Sequence, residues 1–263
     1  MPIRPESAAI EYEQISLYFP AASIMFNTQA QATTVPGSVS RIPPLESGNR
    51  LTRYEFERRY NAMPDLKKAE LIEGVVYVAS PVRSRSHGQP HAAMMGWLFA
   101  YWIATPGVDL NDNTTVRLDL DNEPQPDAFL RLEQGVGGQS RLSDDDYIEG
   151  APELVVEIAA TSATKDLHDK KRVYRRNGVQ EYIVWQVIDQ KLEWFYLQDG
   201  DYISLSASDR GVIQSRVFPG LWLAVADLLA GNMTRVLAVL QEGFHCAEHQ
   251  AFVQQLAERQ ADR

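Results

Sequence analysis

Between Leu71 and Val78 the chain reads Leu-Ile-Glu-Gly-Val-Val-Tyr-Val, apolar β-favouring residues on both sides of Gly74. The pattern predicts a tight hairpin within Ala69 to Ser80. From Thr115 to Leu120, Val116, Leu118 and Leu120 alternate with Arg117 and Asp119, the period of a half-buried strand. Further strands are expected over Asp127 to Leu132, Glu153 to Ala159, Glu181 to Ile188, Lys191 to Leu197 and Asp201 to Leu205, with Asp189-Gln190 as the turn after Ile188. Between them the period changes. Thr52 and Glu55 stand in capping-box spacing before a short helix through Tyr60. Pro90 suits the first position of a helix over His91 to Ala104, which is apolar nearly all round and so expected against the sheet. Thr161 or Ser162 caps a helix running to about Arg176, which Asn177-Gly178 stops. Helical pieces close the chain around Val225 to Ala230, Thr234 to Gln241 and Glu248 to Arg259. This order describes a mixed sheet flanked by helices, an α/β or α+β class.

Residues 1–48 hold Pro20, Pro36, Pro43 and Pro44 among Ser, Thr, Gln and Ala without a sustained period. They are expected to form a flexible arm, followed by a domain over 49–230 and a C-terminal helical extension over 231–263. With 263 residues, 44% hydrophobic and 23% charged, the chain can bury a full core. Its net charge is -10, from 25 Lys and Arg against 35 Asp and Glu. That counts against an avid, sequence-indifferent nucleic-acid binder, whose affinity comes mainly from neutralised phosphates, but leaves room for a local basic groove. Cys246 is the only cysteine, so no intramolecular disulfide forms. The first residues lack the basic-then-apolar order of a secretory signal and no apolar stretch suits a bilayer. A cytoplasmic protein is expected.

Two carboxylates interrupt this pattern: Asp127, after Gln125-Pro126, and Glu157, inside Leu154-Val155-Val156-Glu157-Ile158-Ala159. An ionised carboxylate in an apolar run is costly to desolvate unless a cation or hydrogen-bond donors meet it. Magnesium or manganese held by these two acids, with the carbonyl of Ile158 as a third oxygen, would do so. Pro126-Asp127 by itself would be only a turn before a strand. From Lys165 to Arg176 the sign of the chain reverses, with Lys165, Lys170, Lys171, Arg172, Arg175 and Arg176 against Asp166 and Asp169. A basic helix beside an acidic metal site is what phosphate cleavage needs, and any nucleic-acid contact is expected mainly to the backbone. His87 and His91 have zinc-pair spacing, but Pro90 is expected to leave His87 outside the helix, so that the rings need not share a face. His87 and His91, with Arg83 and Arg85, are candidates for phosphate contact, as is Lys171.

These segments carry a resemblance. Glu70-Leu71-Ile72-Glu73-Gly74-Val75-Val76, Ser80-Pro81 with a following His, Gln125-Pro126-Asp127, Gly150-Ala151-Pro152-Glu153-Leu154-Val155-Val156-Glu157-Ile158, and Tyr174 with Gly178-Val179-Gln180-Glu181-Tyr182 resemble, in order from about Leu51 to Leu229, the Uma-two family of restriction-endonuclease-like bacterial proteins with the PD-(D/E)XK fold. The resemblance implies a magnesium- or manganese-dependent endonuclease acting on DNA. It puts the motif aspartate on Asp127 and the second acid on Glu157. The lysine is displaced: Ala159 stands two after Glu157, and the resemblance places a lysine at Lys170, four before Tyr174, with Lys171 as second choice. It also makes Glu73 an additional acid near the metal. The alternative is a catalytically inactive protein that keeps the nuclease fold as a binding or regulatory module. A homodimer is expected, with the aromatic strand Leu192 to Tyr196 as a candidate interface.

Overall fold

The computed structural model describes residues 42–160 and 165–261. At its centre lies a six-stranded sheet in the order β11-β10-β9-β8-β5-β3. Its strands are β3 (Val108–Asp112), β5 (Ala128–Leu132), β8 (Leu154–Ala159), β9 (Glu181–Gln186), β10 (Lys191–Gln198) and β11 (Asp201–Ser204). Within this sheet β8 and β9 pair in parallel, and the other described neighbouring pairs are antiparallel. β8 and β9 are buried along their whole length, which is why they read as apolar runs rather than as alternation.

Alternate residues supply two cores. Ala128, Leu130, Leu154, Val156, Ile158, Ile183 and Trp185 meet helix α2 (Gln89–Ala104) through Met94, Trp97, Leu98 and Tyr101. The other face, with Phe129, Val155, Ala159, Tyr182 and Val184, meets Tyr174 of a short helix α3 (Lys171–Arg176). A third cluster joins Leu45, Phe56, Ala69, Leu71 and Val76, so that α1 (Arg53–Asn61) sits on the hairpin β1 (Ala69–Ile72) and β2 (Val75–Val78).

Several expectations change in three dimensions. Thr52 occupies the N-cap of α1 without a side-chain bond, because Glu55 turns to Arg58 and Arg59 at 2.7 Å each. The strand expected over Thr115 to Leu120 shortens to β4 (Val116–Arg117), since Asp119 folds the chain back by accepting from Asp121 N and Asn122 Nδ2. β4 joins β6 (Arg141–Leu142) and β7 (Ile148–Glu149) in a small sheet, order β4-β7-β6. The cap expected at Thr161 or Ser162 lies outside the described residues. Residues 42–48, assigned to the arm by composition, pack on the hairpin: Leu45 is buried and Gly48 N donates to Val76 O. At the other end, a hairpin of β12 (Val212–Gln214) and β13 (Trp222–Ala224) precedes α4 (Val225–Leu229), α5 (Met233–Phe244) and α6 (Ala247–Ala261). Val236, Leu240 and Leu256 of the last two helices belong to the α2 core. No described helix is long and apolar enough to cross a membrane. The aromatic strand expected at an interface is instead internal: β10 lies between β9 and β11, with Trp194 and Phe195 buried.

Candidate active site

Strand register brings the two acids together. β5 and β8 are antiparallel with Ala128 opposite Val156 and Phe129 opposite Val155, so Asp127, one residue earlier, falls opposite Glu157. Side chains directly opposite in an antiparallel pair share a face, here that of Phe129 and Val155. Asp127 is fastened by its main-chain neighbour, its Oδ2 accepting from Ile158 N at 2.8 Å, while Lys68 Nζ lies 3.3 Å from Oδ1. A wide π-helical turn, Asp166–Lys170, leads into α3 and drops Lys170 into the site. Its amine is 2.6 Å from Glu70 Oε1, 2.8 Å from Glu157 Oε1 and 3.9 Å from Asp166 Oδ1. One turn on, the Tyr174 hydroxyl donates to the same Glu157 oxygen at 2.8 Å.

Glu70 is the acid that sequence reasoning passed over in favour of Glu73. It alternates with Ala69 and Leu71, which face the hairpin core, and its carboxylate accepts from Gln125 N and from Lys165 as well as pairing with Lys170. Like Glu157, Glu70 stands between apolar neighbours in a strand, the signal in the sequence that marks a carboxylate costly to desolvate. Glu73 sits at the hairpin turn at φ 51° and takes Arg172 Nε at 2.9 Å, with Arg176 at 3.5 Å. It is not among the acids around Lys170.

The charges are unequally compensated. Burial raises the Glu157 carboxyl to about 8, with Asp166, Asp127 and Glu70 adding to the rise and Lys170 opposing it. Burial also works against ionised Glu70, but Lys170, Lys165 and Lys68 outweigh it and hold that carboxyl below its usual range. Lys170 stays charged: burial lowers its pKa, and Glu157, Glu70 and Asp166 together lift it well above the ordinary lysine value. Added positive charge beside Glu157 would oppose that rise and favour its ionised form.

The histidines correct an expectation. Ser84–Gly88 forms a second π-helical turn that runs straight into α2, so Pro90 does not leave His87 outside. The wide turn stacks the His87 and His91 rings, with centroids 5.7 Å apart and planes 12° apart. His87 Nδ1 donates to Ile158 O at 3.1 Å, and its Nε2 is 3.7 Å from Asp127 Oδ1. His91 Nε2 donates to Asp127 O at 3.0 Å and lies 3.1 Å from Asp112 Oδ1. Arg83 and Arg85 are exposed on the same turn. Lys171 leaves the acids altogether and rests over the Phe195 ring, 3.4 Å from its centroid.

For a divalent metal, the donor set has the right chemistry. Two carboxylates on neighbouring strands and a main-chain carbonyl are hard oxygen ligands, and magnesium is commonly held by one or two carboxylates with water and phosphate completing its shell. The buried, under-compensated Glu157 favours a cation. In this arrangement Lys68, Lys170 and His87 hold those oxygens, and among the described residues no group of three His, Cys, Asp or Glu side chains is set to hold a metal.

Comparison with known proteins follows the same residues. A family model described as "Putative restriction endonuclease" matches residues 53–226, which include α1, β1, β5, β8 and α3. The chain belongs to the Uma2 family. In fold, this Uma2 protein is similar to a crystal structure titled as a putative nuclease of DUF820 from Anabaena variabilis. The TM-score is 0.52 and identity 15%, over 66% of this chain and 96% of that one. No curated protein matches it. The restriction-endonuclease-like fold and the Uma2 resemblance read from the sequence are thus both met.

Proposed function

We propose that this Uma2 protein is a divalent-metal-dependent endonuclease that hydrolyses DNA phosphodiester bonds. The observation that carries the reading is the meeting of Asp127 and Glu157 on one face of β5 and β8, with the Lys170 amine 2.8 Å from Glu157. Asp127, Glu157 and the Ile158 carbonyl would hold magnesium or manganese, which when bound lowers the pKa of water and offsets charge on a phosphate. The protein's own groups do the rest. Ile158 N fixes the Asp127 carboxylate, Tyr174 and Lys170 fix that of Glu157, and the Lys170 amine would supply positive charge near the oxygens of the reacting phosphate, where negative charge grows. His87, with the exposed Arg83 and Arg85 of the segment that leads into α2, would receive phosphate oxygens.

A cytoplasmic setting and a homodimer belong to the same reading. The apolar side chains of Phe99, Trp102 and Ile103 stay exposed on α2, and a molar mass by light scattering tests the dimer.

The test is plasmid nicking by the purified chain with magnesium or manganese. Asp127→Asn and Glu157→Gln are expected to lower the rate at least 100-fold while the far-ultraviolet circular dichroism is kept. Cleavage that survives both substitutions removes the assignment. A second reading has its own observation: Lys170 already supplies a counter-charge to both Glu70 and Glu157, as a non-catalytic binding module would need. Calorimetric titration with manganese separates the two, because heat of binding lost in Asp127→Asn supports the nuclease and no heat in the native chain supports the module.

A further inference from the structure

The helical segment that delivers Lys170 to the acids carries a second, outward face. Asp166, Lys170 and Tyr174 point inward, whereas His168, Lys171, Arg172 and Arg175, at i, i+3, i+4 and i+7, make a basic stripe on a chain whose net charge is -10. With Leu167, Asp201 and Tyr202 they line a groove of about 280 Å³ between this segment and β11.

Two of its cations are already engaged. Arg172 pairs with Glu73 and Asp169, and Arg175 with Asp201 at 2.6 Å. These contacts hold the guanidinium forks along the groove walls. Lys171 differs. No carboxylate lies within ion-pair distance of it among the described residues, and its amine rests on the Phe195 ring at 3.4 Å. Burial lowers its pKa, Glu193 opposing and Lys191 adding to the fall. A partly desolvated ammonium on an aromatic floor, flanked by two fixed guanidiniums, recovers energy when an anion closes over it. Phosphate fits best: it is compact, carries oxygens on several sides, and takes point-charge contact from Lys together with forked contact from Arg.

We propose that this groove is a phosphate-binding subsite for a DNA strand, seating a backbone phosphate away from the scissile bond and centred on Lys171. The inference rests on the nuclease reading for its choice of ligand. Lys170 and Lys171 are about 100° apart on the helix, so one segment turns one amine to the acids and the next to the flanking backbone. The subsite tracks backbone and reads no base.

The test is equilibrium binding of the full-length protein to a fluorescent DNA duplex in chelator, so that no cleavage intervenes, across a range of salt concentrations. Lys171→Gln and Arg175→Gln are each expected to weaken binding several-fold and to reduce the slope of log affinity against log salt by about 0.9, the value of one phosphate contact. Lys171→Arg should restore most of the affinity. Asp201→Asn, which removes the groove's carboxylate, should tighten binding, a change of opposite sign that general loss of structure would not produce. Arg210→Gln, at an exposed ion pair outside the groove, should change little.

Unchanged affinity and slope in Lys171→Gln, or no measurable binding by the native chain at low salt, overturns the subsite. Equal competition by polyglutamate of matched charge overturns the choice of phosphate. Plasmid nicking is read separately: groove variants that lose binding beside a native chain that never cuts would sink the nuclease reading and leave the subsite standing. The reverse pattern, cutting with unaltered binding, would sink the subsite alone.

Discussion

Lys170 is the residue on which the site turns. It touches Glu70 and Glu157 together, all three nearly inaccessible, and removing one partner of a buried ionic group leaves the others without compensation. Lys170→Met is therefore expected to destabilise the protein by about 3 to 5 kcal/mol, seen as a lower urea midpoint. Adding Glu70→Gln and Glu157→Gln to it should return much of that loss. A midpoint unmoved by Lys170→Met would show that the amine is dispensable to the fold. Asp127 and Glu157 were legible in the sequence because each lies where burial is costly. Glu70 obeys the same rule, but it was hidden by Glu73, which stands beside Gly74 and drew the assignment although the turn carries it outward to Arg172.

At the scale of elements, apolar runs identified themselves, and strands that are polar or depend on distant partners did not. β8 and β9 are buried throughout, and α2 buries Met94, Trp97, Leu98 and Tyr101 against the sheet, so apolar composition located them. β3 reads Val-Asp-Leu-Asn-Asp, which resembles a loop; it is a strand because β5 offers it a partner on one side, and an edge strand tolerates polar residues. The β12–β13 hairpin depends on distant partners, among them Trp97 Nε1 donating to Trp222 O, and Glu181 accepting from Ser215 Oγ and Arg216 N. No local pattern contains that information. The two π-helical turns were equally illegible, since a single wide turn leaves no period, yet they place His87 and Lys170. Where α5 meets the loop before β13, a Cβ on Gly243 would lie 2.2 Å from Gly220 O. Alanine within a helix usually adds stability. Here Gly243→Ala is expected to lose about 1 to 3 kcal/mol instead, measured by thermal melting, and a raised melting temperature would contradict the close approach.

For the whole molecule, buried acids set how stability varies with pH. Glu123 is almost inaccessible, and burial, then the hydrogen bond and charge of Glu57, raise its carboxyl to about 8 against Arg117 and Arg53. A folded-state pKa above the unfolded value means that the folded chain holds the proton the unfolded chain has released. Its contribution is fully present below about pH 4.5 and is lost as pH rises through about 8. Glu123→Gln, which keeps a donor for Glu57, should flatten this decline and be more stable than the native chain at pH 9 by on the order of 1 to 4 kcal/mol. Chemical denaturation at pH 6 and pH 9 checks it; equal pH slopes for the two proteins would refute it.

The opposition of Asp127 and Glu157 also bears on descent. Strand faces alternate one residue at a time, so a single codon gained or lost between Asp127 and Phe129 would turn Asp127 toward the tryptophans of the α2 core and part it from its counterpart. The exposed turn from Asp144 to Asp146, between β6 and β7, lies outside those strands, and lineages can lengthen or trim it without disturbing that parity. Change in length should accumulate there, while the strands that frame the acids are inherited in step.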